Sequence, residues 1–273
     1  MFKHLFFLTK HGSKLKKNVA MNGCIVRTNF TVMVYTVVLI SLVACSSSAK
    51  KTDNKEADKD LGVMLTYNEI DEDKNTYLVN IFINSEYMHI SNDYAKNDYV
   101  LFDRKKREIY NVNSEDNTIF VMKYREVTVK PPLEIHYETI SKPSAAIPEV
   151  QGNRATHYRF EVNGKQCYDS VSMELTFMPD AVNAMKEFRN VLAGEHAKSV
   201  KSIPNDMLDA CDLALNVFYP SKILEYGLPI REWNRKGYRR FLVLYKYDYK
   251  FPNEKLTLPD GYEKFSVGEG RKD

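Results

Sequence analysis

From Leu61 onward the chain alternates apolar and polar residues with a period of two, the pattern of strands that bury one face. Val63, Leu65 and Tyr67 share one side of the first such segment, and Asp71–Asn75 turns it. Thr76–Asn84 follows, with Tyr77, Val79, Ile81 and Ile83 on one side. Tyr87–Ser91, Asp98–Asp103, Glu108–Asn113 and Thr118–Tyr124 come next, separated by short polar connections. Short links between period-two segments predict an antiparallel meander. Beyond Pro131 and Pro132, Leu133–Ile140 reads as a strand, and Pro143 and Pro148 follow it. Thr156–Val162 places Tyr158, Phe160 and Val162 on one face; Asn163-Gly164 then predicts a tight hairpin, since both turn residues need positive φ. The return strand carries Cys167.

Two stretches break this rhythm. Asp180–Ala193 follows Pro179 and spaces Val182, Met185, Phe188 or Arg189, and Leu192 as one helical stripe, with Gly194 as a stop. Asn205–Val217 follows Pro204 and aligns Leu208, Cys211 and Leu215. Strands resume at Pro229–Trp233 and Arg239–Phe251. Grouped helices within a run of about ten or eleven strands make the class α+β. The expected architecture is one large, curved, unclosed antiparallel sheet packed on two helices.

The chain before Leu61 obeys neither pattern. Thr31–Cys45 is an uncharged apolar run, too short to span a bilayer comfortably and suited to the h-region of a secretory signal. It ends in Leu42-Val43-Ala44-Cys45, which resembles the lipobox of bacterial lipoproteins. The resemblance implies cleavage before Cys45, lipid attachment to Cys45, and, with Ser46 rather than Asp next, sorting to the outer membrane of a Gram-negative cell. An ordinary signal or a buried strand is the alternative. Met21 is the expected true start, because it opens an n-region of more usual length. Ser46–Asp60 is polar, charge-balanced and free of aromatics, as a flexible tether is. The expected division is a signal over 1–44, lipidated Cys and tether over 45–61, a domain over 62–267 and a tail over 268–273.

Charge changes meaning once the signal is set aside. The whole chain has 39 basic and 36 acidic residues. Six of the basic ones, and none of the acidic, precede Cys45, so the remainder holds 33 against 36 and a balance of −3. No clustered basic surface of the kind that binds nucleic acid is expected. Arg104–Arg107 is the one basic cluster; it reads as a solvated turn, or alternatively as a contact with anionic headgroups.

Asp98-Tyr-Val-Leu-Phe-Asp103 followed by Glu108-Ile-Tyr-Asn-Val112, and the close Leu256-Thr-Leu-Pro-Asp-Gly-Tyr262, resemble the lipoprotein-carrier superfamily of envelope proteins (LolA/LolB-like). The resemblance implies an unclosed half-barrel whose concave face, covered by helices, can hold acyl chains. The carriers' functional Arg has no matching position in this chain.

Of the four cysteines, Cys24 lies in the signal and Cys45 is the lipid site. Cys167 and Cys211 are then the remaining pair in an oxidising compartment and are expected to bond; the alternative is a Cys nucleophile working with His157. The six His residues show no zinc spacing, and Asp71-x-Asp73-x-Asn75 fails as a calcium loop because Thr76 and Phe82 stand where Gly and Glu are needed. No Gly-rich phosphate loop or Gly-x-Ser-x-Gly elbow is present. The expectation is a non-enzymatic protein with no metal or cofactor. Its open question is the aromatic side of Arg239–Phe251. Phe241, Val243, Tyr245 and Tyr247 either pack as core or line an apolar ligand site. The partners implied are a membrane reached through the lipid, and an apolar ligand or another envelope protein. A filled core would favour the protein partner.

Overall fold

The computed structural model describes residues 61–95, 97–142, 149 and 152–266. The expected signal, Cys45, the expected tether and the expected tail lie outside these residues. Those described form twelve strands in one unclosed sheet and a small group of helices, an α+β fold.

The first six strands are β1 (Leu61–Ile70), β2 (Thr76–Ile83), β3 (Tyr87–Asn92), β4 (Tyr99–Asp103), β5 (Glu108–Asn113) and β6 (Thr118–Lys123), each antiparallel to the last. A second meander comprises β7 (Tyr137–Lys142), β8 (Ala155–Val162), β9 (Lys165–Met173), β10 (Pro229–Asn234) and β11 (Arg239–Lys250). It rejoins the first where β11 pairs with β1. β12 (Glu263–Phe265) was not expected, having three residues and no alternation; it pairs with β6 in parallel and makes the sheet mixed. The order is β12-β6-β5-β4-β3-β2-β1-β11-β10-β9-β8-β7.

The predicted turns form for the predicted reasons. Asp71 accepts hydrogen bonds from the Asn75 backbone N–H (2.8 Å) and side-chain amide (2.9 Å), and Asn163 and Gly164 both have positive φ, 53° and 72°. The seventh strand begins later than expected, at Tyr137, because Leu133 and Ile135 instead pack against helical residues Ala197, Val200 and Val217.

Both helix predictions need correction. α1 (Pro179–Val200) runs through Gly194 rather than stopping there. A Cβ at Gly194 would sit 2.4 Å from the Arg125 carbonyl oxygen, so glycine is required for close packing of helix and chain, not for termination. The second helix shrinks to α2 (Ala210–Leu213), because the Asp209 side chain caps it by accepting from the Asp212 N–H (3.0 Å). It then widens into a π turn over Ala214–Phe218. Arg104 also departs from the solvated-turn expectation. It makes a forked ion pair with Glu187 of α1 (2.7 and 3.0 Å) and donates to the Asn84 carbonyl (2.7 Å).

The first meander is buried on both faces. On its helix face Leu65, Ile83, Met88, Phe102, Ile109 and Met122 are at most 2% exposed, and Phe102 meets Phe188 of α1 edge-on at 5.8 Å. The opposite face carries Met64, Phe82, Leu101 and Ile119, over which the segment following β11 passes as a strap. Phe251 stacks on Phe82 at 4.5 Å, Leu256 is buried among these side chains, and Tyr99 donates to the Thr257 carbonyl (2.9 Å). The Leu256–Tyr262 close is thus part of this strap, and the Asp98–Val112 pattern is the β4–β5 hairpin.

Beneath the strap lies His89, 4% exposed, stacked on Tyr99 and 4.9 Å from the Phe251 ring. Burial, and secondarily the charge of Lys255, lower its pKa from 6.5 to about 4. The folded state therefore excludes a proton that the unfolded chain takes up below its ordinary pKa. The contribution is complete above pH 6.5 and is lost as pH falls toward 4. The loss should reach about 3 kcal/mol. Urea midpoints of wild type and His89→Phe should diverge across that window; a pH-independent difference would show that His89 is not the group responsible.

Candidate functional site

The predicted ligand wall does not form one surface. β11 carries two register shifts against β1, one between Gly62 and Met64, the other between Thr66 and Tyr67. Each inserts an extra residue into β11, reversing the alternation. Opposed residues share a face, so Tyr245 opposite Leu65 points to the helix face, where it meets Phe177 at 5.4 Å. Phe241, opposite Asn68, points to the other face, under the Arg231 guanidinium at 5.3 Å. Val243 falls in a bulge and is 56% exposed; Tyr247 is 46% exposed. Near Tyr247, Asp248 takes a positive φ of 48°. The single-face reading of Phe241, Val243, Tyr245 and Tyr247 is corrected accordingly.

Cys167 and Cys211 are bonded, with Cα atoms 5.4 Å apart, tying β9 to α2. The alternative pairing of Cys167 with His157 fails on geometry. His157 belongs to the opposite face, where Nε2 hydrogen-bonds the Asp169 carboxylate at 2.7 Å and the ring lies beside Trp233 at 5.2 Å. Arg159 also approaches Asp169, which is fully buried. That side of β8–β11 is not crossed by the strap. Arg231, Arg239 and Leu244 are exposed there, beside half-buried Phe241 and Trp233.

The helix face of β10 and β11 holds a buried ion pair, Glu232 with Arg240, on directly opposed residues. Tyr168 donates to Glu232 (3.1 Å), and the Arg240 guanidinium lies 4.3 Å over the Tyr67 ring. Burial opposes the Arg240 charge, yet Glu232, with Tyr238, Tyr67 and Glu69, outweighs it and holds the pKa well above the usual range. Burial is also the first cause that raises the Glu69 carboxyl, with Arg240 pulling the other way.

Beside this pair opens a cleft of about 400 Å³. The ends of β9 and β10 and the turn after β10 form one wall; α2 and the π turn form the other, and Arg189 of α1 reaches in. Leu215, Ile223 and the disulfide give it apolar surface, while Lys165, Arg235 and Lys236 surround the opening. Sequence reasoning missed this cleft because its charges each resemble ordinary solvated surface. The Cys167–Cys211 pairing was the available signal, since it draws Lys165 and Gln166 toward Asp209 and Asp212.

No family model matches the chain, and no curated protein matches it. Among solved structures it is similar to an uncharacterized conserved protein from Thermus thermophilus, at a TM-score of 0.39 and 8% identity over 76% of this chain and 91% of that one. It is also similar to PNGF-II, at a TM-score of 0.38 and 12% identity over 76% of this chain and 31% of that one. Neither likeness carries a functional argument.

Proposed function

We propose that this protein is a lipid-anchored, non-enzymatic envelope protein that holds a protein partner on its open sheet face instead of carrying an acyl chain inside. The observation behind this reading is the filled helix face of the first meander, where Leu65, Phe102, Ile109 and Met122 are fully buried against neighbours. The Leu42–Cys45 lipobox supports the anchor at Cys45, and Ser46 supports the outer membrane, facing the periplasm. The exposed Arg231, Arg239 and Leu244, with Phe241 and Trp233, supply apolar contact ringed by charge, the composition of a partner-binding surface.

Protein purified without its anchor should show no retained lipid by native mass spectrometry and take up neither a phospholipid nor an acylated peptide. In cells, a photo-crosslinker at Leu244 should give discrete adducts that one placed at Leu175 does not, and Cys45→Ala should leave the membrane fraction. A lipid retained one-to-one would restore the carrier reading. Membrane fractionation unchanged by Cys45→Ala would remove the anchor.

A further inference from the structure

We infer that the cleft between α2 and the β10–β11 turn binds a small organic carboxylate with an apolar body. Its lining carries four cations, Lys165, Arg189, Arg235 and Lys236, against two carboxylates, Asp209 and Asp212. Both carboxylates are engaged. Asp212 is paired with Lys236 through both oxygens (2.9 and 3.1 Å), joining the two walls, and Asp209 caps α2. Lys165, Arg189 and Arg235 have no carboxylate partner among the described residues.

Arg189 is the organising group. It reaches in from α1, half-buried, and uses Nη1 on the Pro220 carbonyl (3.0 Å). Its remaining donors keep the fork that matches a carboxylate with two parallel hydrogen bonds. Leu215, Ile223 and the disulfide lie in the same cleft, so a ligand can place an apolar body against them while its anion meets Arg189. The volume falls in the range of small-molecule sites, which combine apolar lining with a few placed polar groups. An independent feature agrees: Leu215 and Asn216 belong to the π turn, a widening that recurs at functional sites.

The test uses 4-phenylbutyrate, its neutral analogue 4-phenylbutanamide and inorganic phosphate, each titrated into the folded anchorless protein at neutral pH and followed by amide NMR shifts. The acid should saturate with shifts at Lys165, Gln166 and Asn216, and should bind about tenfold or more tighter than the amide. Lys165→Glu/Arg235→Glu, which changes exposed positions, should weaken the acid about tenfold without moving the melting temperature. Arg189→Gln should weaken it further, and its melting temperature separates lost binding from lost packing at Pro220. Equal binding of acid and amide, no saturation by about 10 mM acid, or an unaffected double variant would overturn the inference. Tight phosphate with weak carboxylate would do the same. None of these outcomes bears on lipid uptake or membrane attachment.

Discussion

Arg240→Leu should destabilise the domain by about 3–5 kcal/mol. The size follows from what remains. Glu232 is 2% exposed, and without Arg240 its carboxylate has the Tyr168 hydroxyl but no cation. Glu69, whose pKa burial already raises, loses the same opposing charge. The ion pair itself contributes less than this figure suggests, because each charge is costly to bury. The double variant Glu232→Leu/Arg240→Leu should therefore recover most of the loss. Urea unfolding of both variants and of wild type closes the cycle. A deficit below about 1 kcal/mol would mean that water reaches the pair and solvates what is left.

Reduction of the Cys167–Cys211 bond should cost about 4 kcal/mol on the chain-entropy account, given a sequence separation of 44 residues. For a domain of this size that corresponds to roughly 8–16 °C in melting temperature. The effect should be large because α2 has four residues and cannot persist alone. Ala210 and Cys211 of α2, with Ala214 at the start of the π turn, pack in the cluster of Phe160, Val162 and Tyr168, close to the bond. Melting curves with and without a phosphine reductant test this, with alkylation and mass measurement confirming that both thiols are free. Equal melting temperatures would indicate that the unfolded chain gains little freedom when the link opens.

The sheet was legible where alternation meets turn chemistry. Tyr77, Val79 and Ile81 are buried and alternate with Thr76, Leu78 and Asn80, which are exposed or half-buried, and Asn163-Gly164 has a single economical conformation, so those hairpins follow from local preference. Arg239–Lys250 shows the limit. Its period of two holds on paper, yet two bulges against β1 divert it, and each extra residue reverses which face the following side chains take. Gly194 misled for a related reason: it is required by the Arg125 backbone, far away in sequence. The cleft was illegible because it is assembled from elements far apart in sequence, β9, α1, α2 with the π turn, and the end of β10, whose side chains look unremarkable one at a time. The disulfide was the exception, since counting thiols needs no geometry.

The strap makes the order of events during folding matter. The face of β2, β4 and β5 that bears Phe82, Leu101 and Val112 is finished by Phe251 and Leu256, which follow every strand of both meanders in the sequence. A chain emerging N-terminus first must hold a half-covered, apolar six-stranded sheet until those residues arrive. Exposed sheet of this kind is prone to intermolecular association, and contacts that span so much sequence form slowly. Any chaperone that serves this protein would have its longest task in the interval between completion of β6 and arrival of the strap.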